Sequence, residues 1–281
     1  MARRSHDRRA IFSRRRLPAH FEPPRTHMNE IALRPRSATE IVDAALQVFR
    51  RDPVQFILAT AAVYVPWLVL RLVFDLGVSP TLPTFRQAAG IIAVAVVAYA
   101  LVGGVVTVIA SDVYLGAPAD AMRAVRVAVA RLAPLLVTGM VTMVLIGMGF
   151  VLFLLPALYP IARYFAVQQA VVLENAGAGA ALARSSHLSL GVKRHILGTL
   201  FLVLLITIAI SWGAALLLGF VQSRVVTNVL LTAVHIVVYP FLGIAETLLY
   251  YDIRIRKEGF DVEYLARSNP PIPADQPSAP L

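Results

Sequence analysis

SATEIVDAALQVFRRDP, residues 37–53, runs straight into an apolar stretch of membrane length, VQFILATAAVYVPWLVLRLVF (54–74). Ser37 and Glu40 have capping-box spacing, in which each side chain satisfies an exposed backbone N–H of the first helical turn. Glu40, Asp43, Gln47 and Arg50 then fall on one helix face, with Ile41, Val42, Ala45, Val48 and Phe49 on the other. The pattern predicts an amphipathic helix lying in the membrane interface and ending at Arg50-Arg51-Asp52-Pro53. The same arrangement comes twice more. APADAMRAVRVAVARLAP (117–134), with Pro118 at a plausible first helical position, precedes apolar runs at 135–155 and 157–173. GAGAALARSSHLSLGVKR (177–194), whose apolar face is weaker, precedes runs at 196–220 and 226–250. The first leader is followed by a second run at 88–111.

A crossing needs about 20 apolar residues to span a core about 30 Å thick. The sequence therefore predicts an all-α integral membrane protein. It is a six-span helical bundle, a pseudo-repeat of one amphipathic helix and two spans, with three amphipathic helices in the cytoplasmic interface. The fourth span is short, and LLPALYP, with Pro156 and Pro160, reads as a tight turn joining it to the third. Composition agrees. Of 281 residues 58% are hydrophobic and 15% are charged, against about 25% charged in soluble domains. The net charge of +10 is unevenly placed, with 12 of the 26 Lys and Arg before residue 52. That is the positive-inside pattern, and it predicts a bacterial cell membrane location with both termini cytoplasmic. No basic groove with interleaved aromatics is present, so nucleic acid is not an expected partner. Anionic lipid headgroups at the cytoplasmic face are expected, as is a membrane-protein partner.

Residues 1–36 carry ten Arg and no apolar core of signal-peptide length. They read as a disordered basic cytoplasmic arm, with Met28 as an alternative start. Residues 37–266 form the membrane domain, and the Pro-rich 267–281 reads as a disordered tail.

RPRSATEIVDAALQVFRRDP (34–53), VLENAGAGAALARSSHLSLGVKRHILGTL (172–200) and LLYYDIRIRKEGFDVEYLA (248–266) lie in this order along the chain. Together they resemble a group of prokaryotic multi-span membrane proteins that are similar to the membrane domain of glycerophosphodiester phosphodiesterases. The resemblance covers about residues 31–266. It implies an association with lipid metabolism in members fused to a catalytic domain. No such domain is present here, so the resemblance does not imply phosphodiesterase activity.

The residues show no catalytic motif. There is no Cys, which excludes thiol chemistry and cysteine-ligated metals within the chain. None of His6, His20, His27, His187, His195 and His235 has metal-ligand spacing. Ser185, Ser186 and His187 are sequence neighbours that point in different directions on a helix. The glycine-rich GAG at 177–179 lacks the preceding strand and the GK[ST] ending of a phosphate loop. No enzyme activity, metal or cofactor is expected.

Ionisable groups inside lipid are costly and therefore informative. Arg163, Gln168, Gln169, His235 and Glu246 form the candidate intramembrane polar cluster, with an expected Arg163–Glu246 ion pair. Arg71 and Asp75 are expected to snorkel to the outer interface. Gly103, Gly104, Gly139, Gly147, Gly149 and Gly213 permit close helix approach. Pro66 and Pro240 fall inside spans, and Tyr250 and Tyr251 fit an interfacial anchor. The expected function is a non-enzymatic accessory protein that binds lipid or a partner. The alternative is a small-solute or lipid transporter, since repeats and broken helices are common in transporters.

Overall fold

The computed structural model describes residues 33–73, 85–152, 154–262 and 264. The expected basic arm before residue 33, Asp75, the Arg71 side chain and the expected Pro-rich tail lie outside the described residues. Among them there is no strand. The helices are α1 (Ala38–Arg51), α2 (Pro53–Val73), α3 (Phe85–Tyr114), α4 (Ala121–Ala130) and α5 (Leu132–Leu152). They continue as α6 (Leu154–Arg163), α7 (Val167–Leu173), α8 (Ala178–Leu188), α9 (Lys193–Leu218) and α10 (Arg224–Glu258).

Four helices, α3, α5, α9 and α10, contain segments long and apolar enough to cross a membrane. The bent pair α1–α2 makes a fifth if counted as one element. The expected fourth span at 157–173 is not one helix. It is α6 and α7, separated by a break at residues 164–166. LLPALYP is not a turn either. Its prolines lie within α6, because Pro156 falls in the first turn, where an N–H has no helical partner anyway. Pro160, in the helix interior, removes one rung, and α6 ends a single turn later.

The turn between α1 and α2 is sharp, 89°. Its chemistry is local. Ser37 Oγ accepts from the Glu40 N–H at 3.3 Å, and Glu40 Oε2 accepts from the Ser37 N–H at 2.8 Å, closing the capping box. Pro53 then opens α2, where a missing N–H costs nothing. Much of the α1 apolar face is covered by other helices. Ile41, Ala45 and Val48 are fully buried, packed mainly against α10 and α9. α4 differs: Asp120 caps it through the Arg123 N–H at 3.0 Å, so Pro118 precedes the helix. Ala124 and Ala128 are buried, while Met122 and Val129 face outward. α8 buries a small-residue face, Ala181 and Ser185 with Leu188. That explains its weak amphipathic signal, since small side chains allow it to pack tightly against α7.

α10 organises the bundle. Its 35 residues extend about 52 Å at 1.5 Å each, well beyond a core about 30 Å thick. It packs against α9, α2, α3 and α1. Ile244, Leu248, Leu249 and Ile253 are buried along its second half. Gly259, at φ +63°, ends it in the left-handed conformation that glycine adopts without strain. The outer faces of α5 and α9 expose Met140, Val144, Phe201 and Leu204 among others, continuous apolar surface suited to lipid and not to water.

Three of the six glycines named from sequence make close approaches. An ideal Cβ on Gly149 would lie 2.5 Å from Ala157 Cα, across the α5–α6 hairpin. One on Gly103 would lie 2.0 Å from Gln168 Oε1, and one on Gly104 would lie 3.1 Å from Leu135. Gly139, Gly147 and Gly213 have nothing within 4 Å of the added Cβ. Gly149→Ala meets backbone that cannot rotate away and should lose about 1–3 kcal/mol. Gly147→Ala, two residues earlier, should be neutral or slightly stabilising. Melting curves of both variants in one detergent check this; equal melting temperatures would show that the α5–α6 approach does not constrain the fold.

Candidate functional site

Charged side chains collect where the second half of α10 meets α1, the end of α3, α8 and the start of α9. Asp252 is the most buried carboxylate there, with 1% of its side chain exposed. It accepts from the Arg36 backbone N–H at 2.6 Å, His195 Nε2 at 2.9 Å and Arg256 Nε at 2.8 Å. Arg256 Nη2 also reaches the Arg36 carbonyl at 2.7 Å. The segment before α1, the first turn of α9 and the end of α10 are thus joined at one group.

A second network lies one turn away on α10. Arg184 of α8 forks onto Glu174, with Nε 2.8 Å from Oε2 and Nη2 2.8 Å from Oε1. Its other side bonds Glu258, with Nη2 at 2.9 Å from Oε2. Arg254 Nε joins Glu258 at 3.0 Å, and the Tyr250 hydroxyl donates to Glu174 at 2.7 Å. Hydrogen bonds from Arg184 to Glu258 and Glu174 raise the Arg184 pKa further above its ordinary value. Asp112 pairs with Arg123 at 2.5 Å. Lys257 Nζ satisfies the His187 carbonyl in the last turn of α8 and the Leu190 carbonyl just beyond it. Tyr250 and Tyr251 are buried, the latter 2.6 Å from Ser111 Oγ. They join helices inside the protein and are not lipid-facing anchors.

The five residues named from sequence are not brought together as expected. Arg163 does not pair with Glu246. Its Nη1 donates to Tyr159 Oη at 2.6 Å, and its guanidinium lies 5.7 Å from the ring centroids of both Tyr159 and Tyr164. The reason is the helix break: α6 ends at Arg163, and its side chain follows α6 toward Tyr159 one turn back. Glu246 lies within electrostatic reach of Tyr99 on α3. His235 packs on Tyr239 at 5.0 Å, and Tyr239 stacks on Tyr64 at 5.4 Å. Gln168 and Gln169 lie on α7, with Gln168 pressed against Gly103. Among the described residues no hydrogen bond or ion pair joins any two of Arg163, Gln168, Gln169 and Glu246.

Gln169 is the most unusual of them. It is 1% exposed, and neither amide atom has a partner within the protein. Gln168 Oε1, Thr107 Oγ1 and Thr199 Oγ1 are likewise buried without partners. The break between α6 and α7 is better satisfied. Ser185 Oγ accepts from the Ala166 N–H at 3.1 Å and donates to the Arg163 carbonyl at 3.0 Å. No group of three or more His, Asp or Glu among the described residues is placed to hold a metal.

Sequence reasoning missed Glu174, Arg184, Asp252, Arg254 and Glu258. Asp252–Arg256 and Arg254–Glu258 were visible as four-residue spacings on one helix, but their partners on α8 and α9 are remote in sequence. Arg184→Met leaves two carboxylates facing each other at a partly buried site and should cost about 2–4 kcal/mol. Adding Glu174→Gln and Glu258→Gln should recover much of that loss. Urea or thermal unfolding in detergent measures both; additive losses would show that the three groups are not coupled. Comparison with protein-family models, with curated proteins and with solved structures gives no match for this chain.

Proposed function

We propose that this chain is a non-enzymatic accessory protein of a bacterial cell membrane, associated with anionic lipid at its charged end. In this reading the chain crosses six times, with α6 and α7 together forming the fourth crossing. The termini and the charged end are cytoplasmic, and α1, α4 and α8 belong to the cytoplasmic layer. The resemblance to multi-span proteins with a lipid-linked membrane domain fits the same proposal.

One observation carries it. Glu40, Asp112, Glu174, Asp252 and Glu258 are each bonded to an arginine or histidine within the protein. These five carboxylates are answered by cations of the protein itself, while Arg50, Arg51, Arg126 and Arg194 remain exposed and outnumber the exposed Asp43 and Asp120. A cationic rim bordering apolar helices is complementary to an anionic leaflet, each Lys or Arg near the surface contributing about 1 kcal/mol. Purified in mild detergent, the protein should retain anionic phospholipid above its share in the source membrane. The excess should shrink as salt rises. Lipid mass spectrometry across a salt series measures this, and retention in bulk proportion at every salt would end the lipid-associated reading.

A transporter is the second reading, and the unpartnered interior atoms of Gln168, Gln169, Thr107 and Thr199 beside a broken helix favour it, as transporters bind solute at such places. The two readings differ at Gln169. An accessory bundle gains from Gln169→Leu, because an unpartnered buried amide costs about 1–3 kcal/mol. We expect a raised melting temperature. A lowered one, together with lost uptake in proteoliposomes, would move the reading to transport.

A further inference from the structure

Two cations meet on one aromatic ring where α6 packs against α9. Arg163 Nη1 bonds the Tyr159 hydroxyl at 2.6 Å, with its guanidinium carbon 5.7 Å from the ring centroid. Lys193 Nζ lies 4.1 Å from the same centroid. The two charges are therefore within about 10 Å of each other, and like charges at that range repel. Among the described residues no carboxylate is bonded to either one.

The position of Lys193 adds to the imbalance. It is the first residue of α9, Arg194 follows it, and the first turn of α9 holds no acidic residue. A helix N-terminus carries partial positive charge, so lysine and arginine are placed where the dipole opposes them. Val192 supplies no side-chain cap, leaving first-turn N–H groups without one. These features share a sign: each is unfavourable alone, and each becomes favourable when an anion arrives.

The surroundings are apolar. Leu155 and Tyr159 precede Arg163 at intervals of four on α6 and are 76% and 50% exposed. On α9, Leu204 lies three turns from Lys193 on nearly the same face, flanked by the 67%-exposed Phe201. A free anion would engage the cations and leave this apolar surface uncovered. A phospholipid covers both.

The geometry points to an anionic-phospholipid site between α6 and α9, with the headgroup phosphate held by Arg163 and Lys193. Tyr159 accepts from the guanidinium and keeps its own O–H to donate to a phosphate oxygen. The amides of the first α9 turn face the same oxygens. The acyl chains lie along Leu155, Phe201 and Leu204. This inference rests on the lipid-associated reading above and gives it an address.

The test is native mass spectrometry of the full chain in detergent, titrated with phosphatidylglycerol and with phosphatidylcholine of matched acyl chains. Wild type should prefer phosphatidylglycerol. Arg163→Gln and Lys193→Gln should each lower that affinity about fivefold, whereas Lys193→Arg retains it. Arg131→Gln, which removes a half-buried cation elsewhere at the charged end, should leave it unchanged. Millimolar inorganic phosphate should not displace the lipid. If wild type prefers phosphatidylglycerol and both site variants do too, the site is wrong and the lipid reading survives. If wild type shows no preference, the lipid reading itself fails. Displacement by inorganic phosphate would make the ligand a free anion and overturn the lipid assignment.

Discussion

A carboxylate withdrawn from water must be met by donors, and Asp252 is the place where this chain meets that demand. Its three partners come from the segment before α1, from the first turn of α9 and from the next turn of α10. Satisfying one oxyanion therefore sets three relations at once. The chain before α1 is drawn across the end of the bundle, α9 is fixed antiparallel to α10, and the long projection of α10 is tied down. Removing a donor from such a group leaves an uncompensated buried charge, which costs far more than the pair contributes relative to apolar packing. The Asp252 cluster thus ties three segments to one group, and its donors are costly to remove singly.

Much of the fold was legible because lipid and helix impose simple rules. Apolar runs of about 20 residues located α2, α3, α5, α9 and α10 to within a few residues at their starts. The Ser37–Glu40 capping box marked the start of α1 correctly. The fourth apolar run was misread as one continuous helix for a physical reason: hydropathy reports burial or lipid contact and does not distinguish them. VQQAVVL, the α7 segment, is apolar because α3, α5 and α8 surround it. The same ambiguity applies to α1, whose amphipathic face packs on protein.

The candidate site was less legible. The Arg163–Glu246 pairing assumed continuous helices and matched depth by counting residues. The break at 164–166 removes that register, and a hydroxyl one turn back on α6 is nearer to Arg163 than any carboxylate. Glu174 looked unremarkable because it stands in the short connection after α7, and Arg184 because it lies on a leader helix with a weak apolar face; only the fold places Glu258 beside them. Charge composition gave the sign of the surface but not its distribution. That distribution depends on which acids are held internally.

The break itself joins these threads. A continuous helix over 154–173 would satisfy its own backbone, have no need of Ser185, and carry Arg163 along its flank. The interrupted one needs a hydroxyl from α8 to complete the Ala166 N–H and the Arg163 carbonyl. α8 is in turn anchored to α10 by Arg184 and by Lys257. The ion networks at the charged end therefore hold α8 where Ser185 can support the break, and Arg163, the last residue of α6, meets Tyr159 one turn back on a ring that Lys193 also covers. In this way pairing carboxylates internally has two consequences. It closes the end of the bundle, and it leaves two cations side by side on the apolar flank with their charge unanswered.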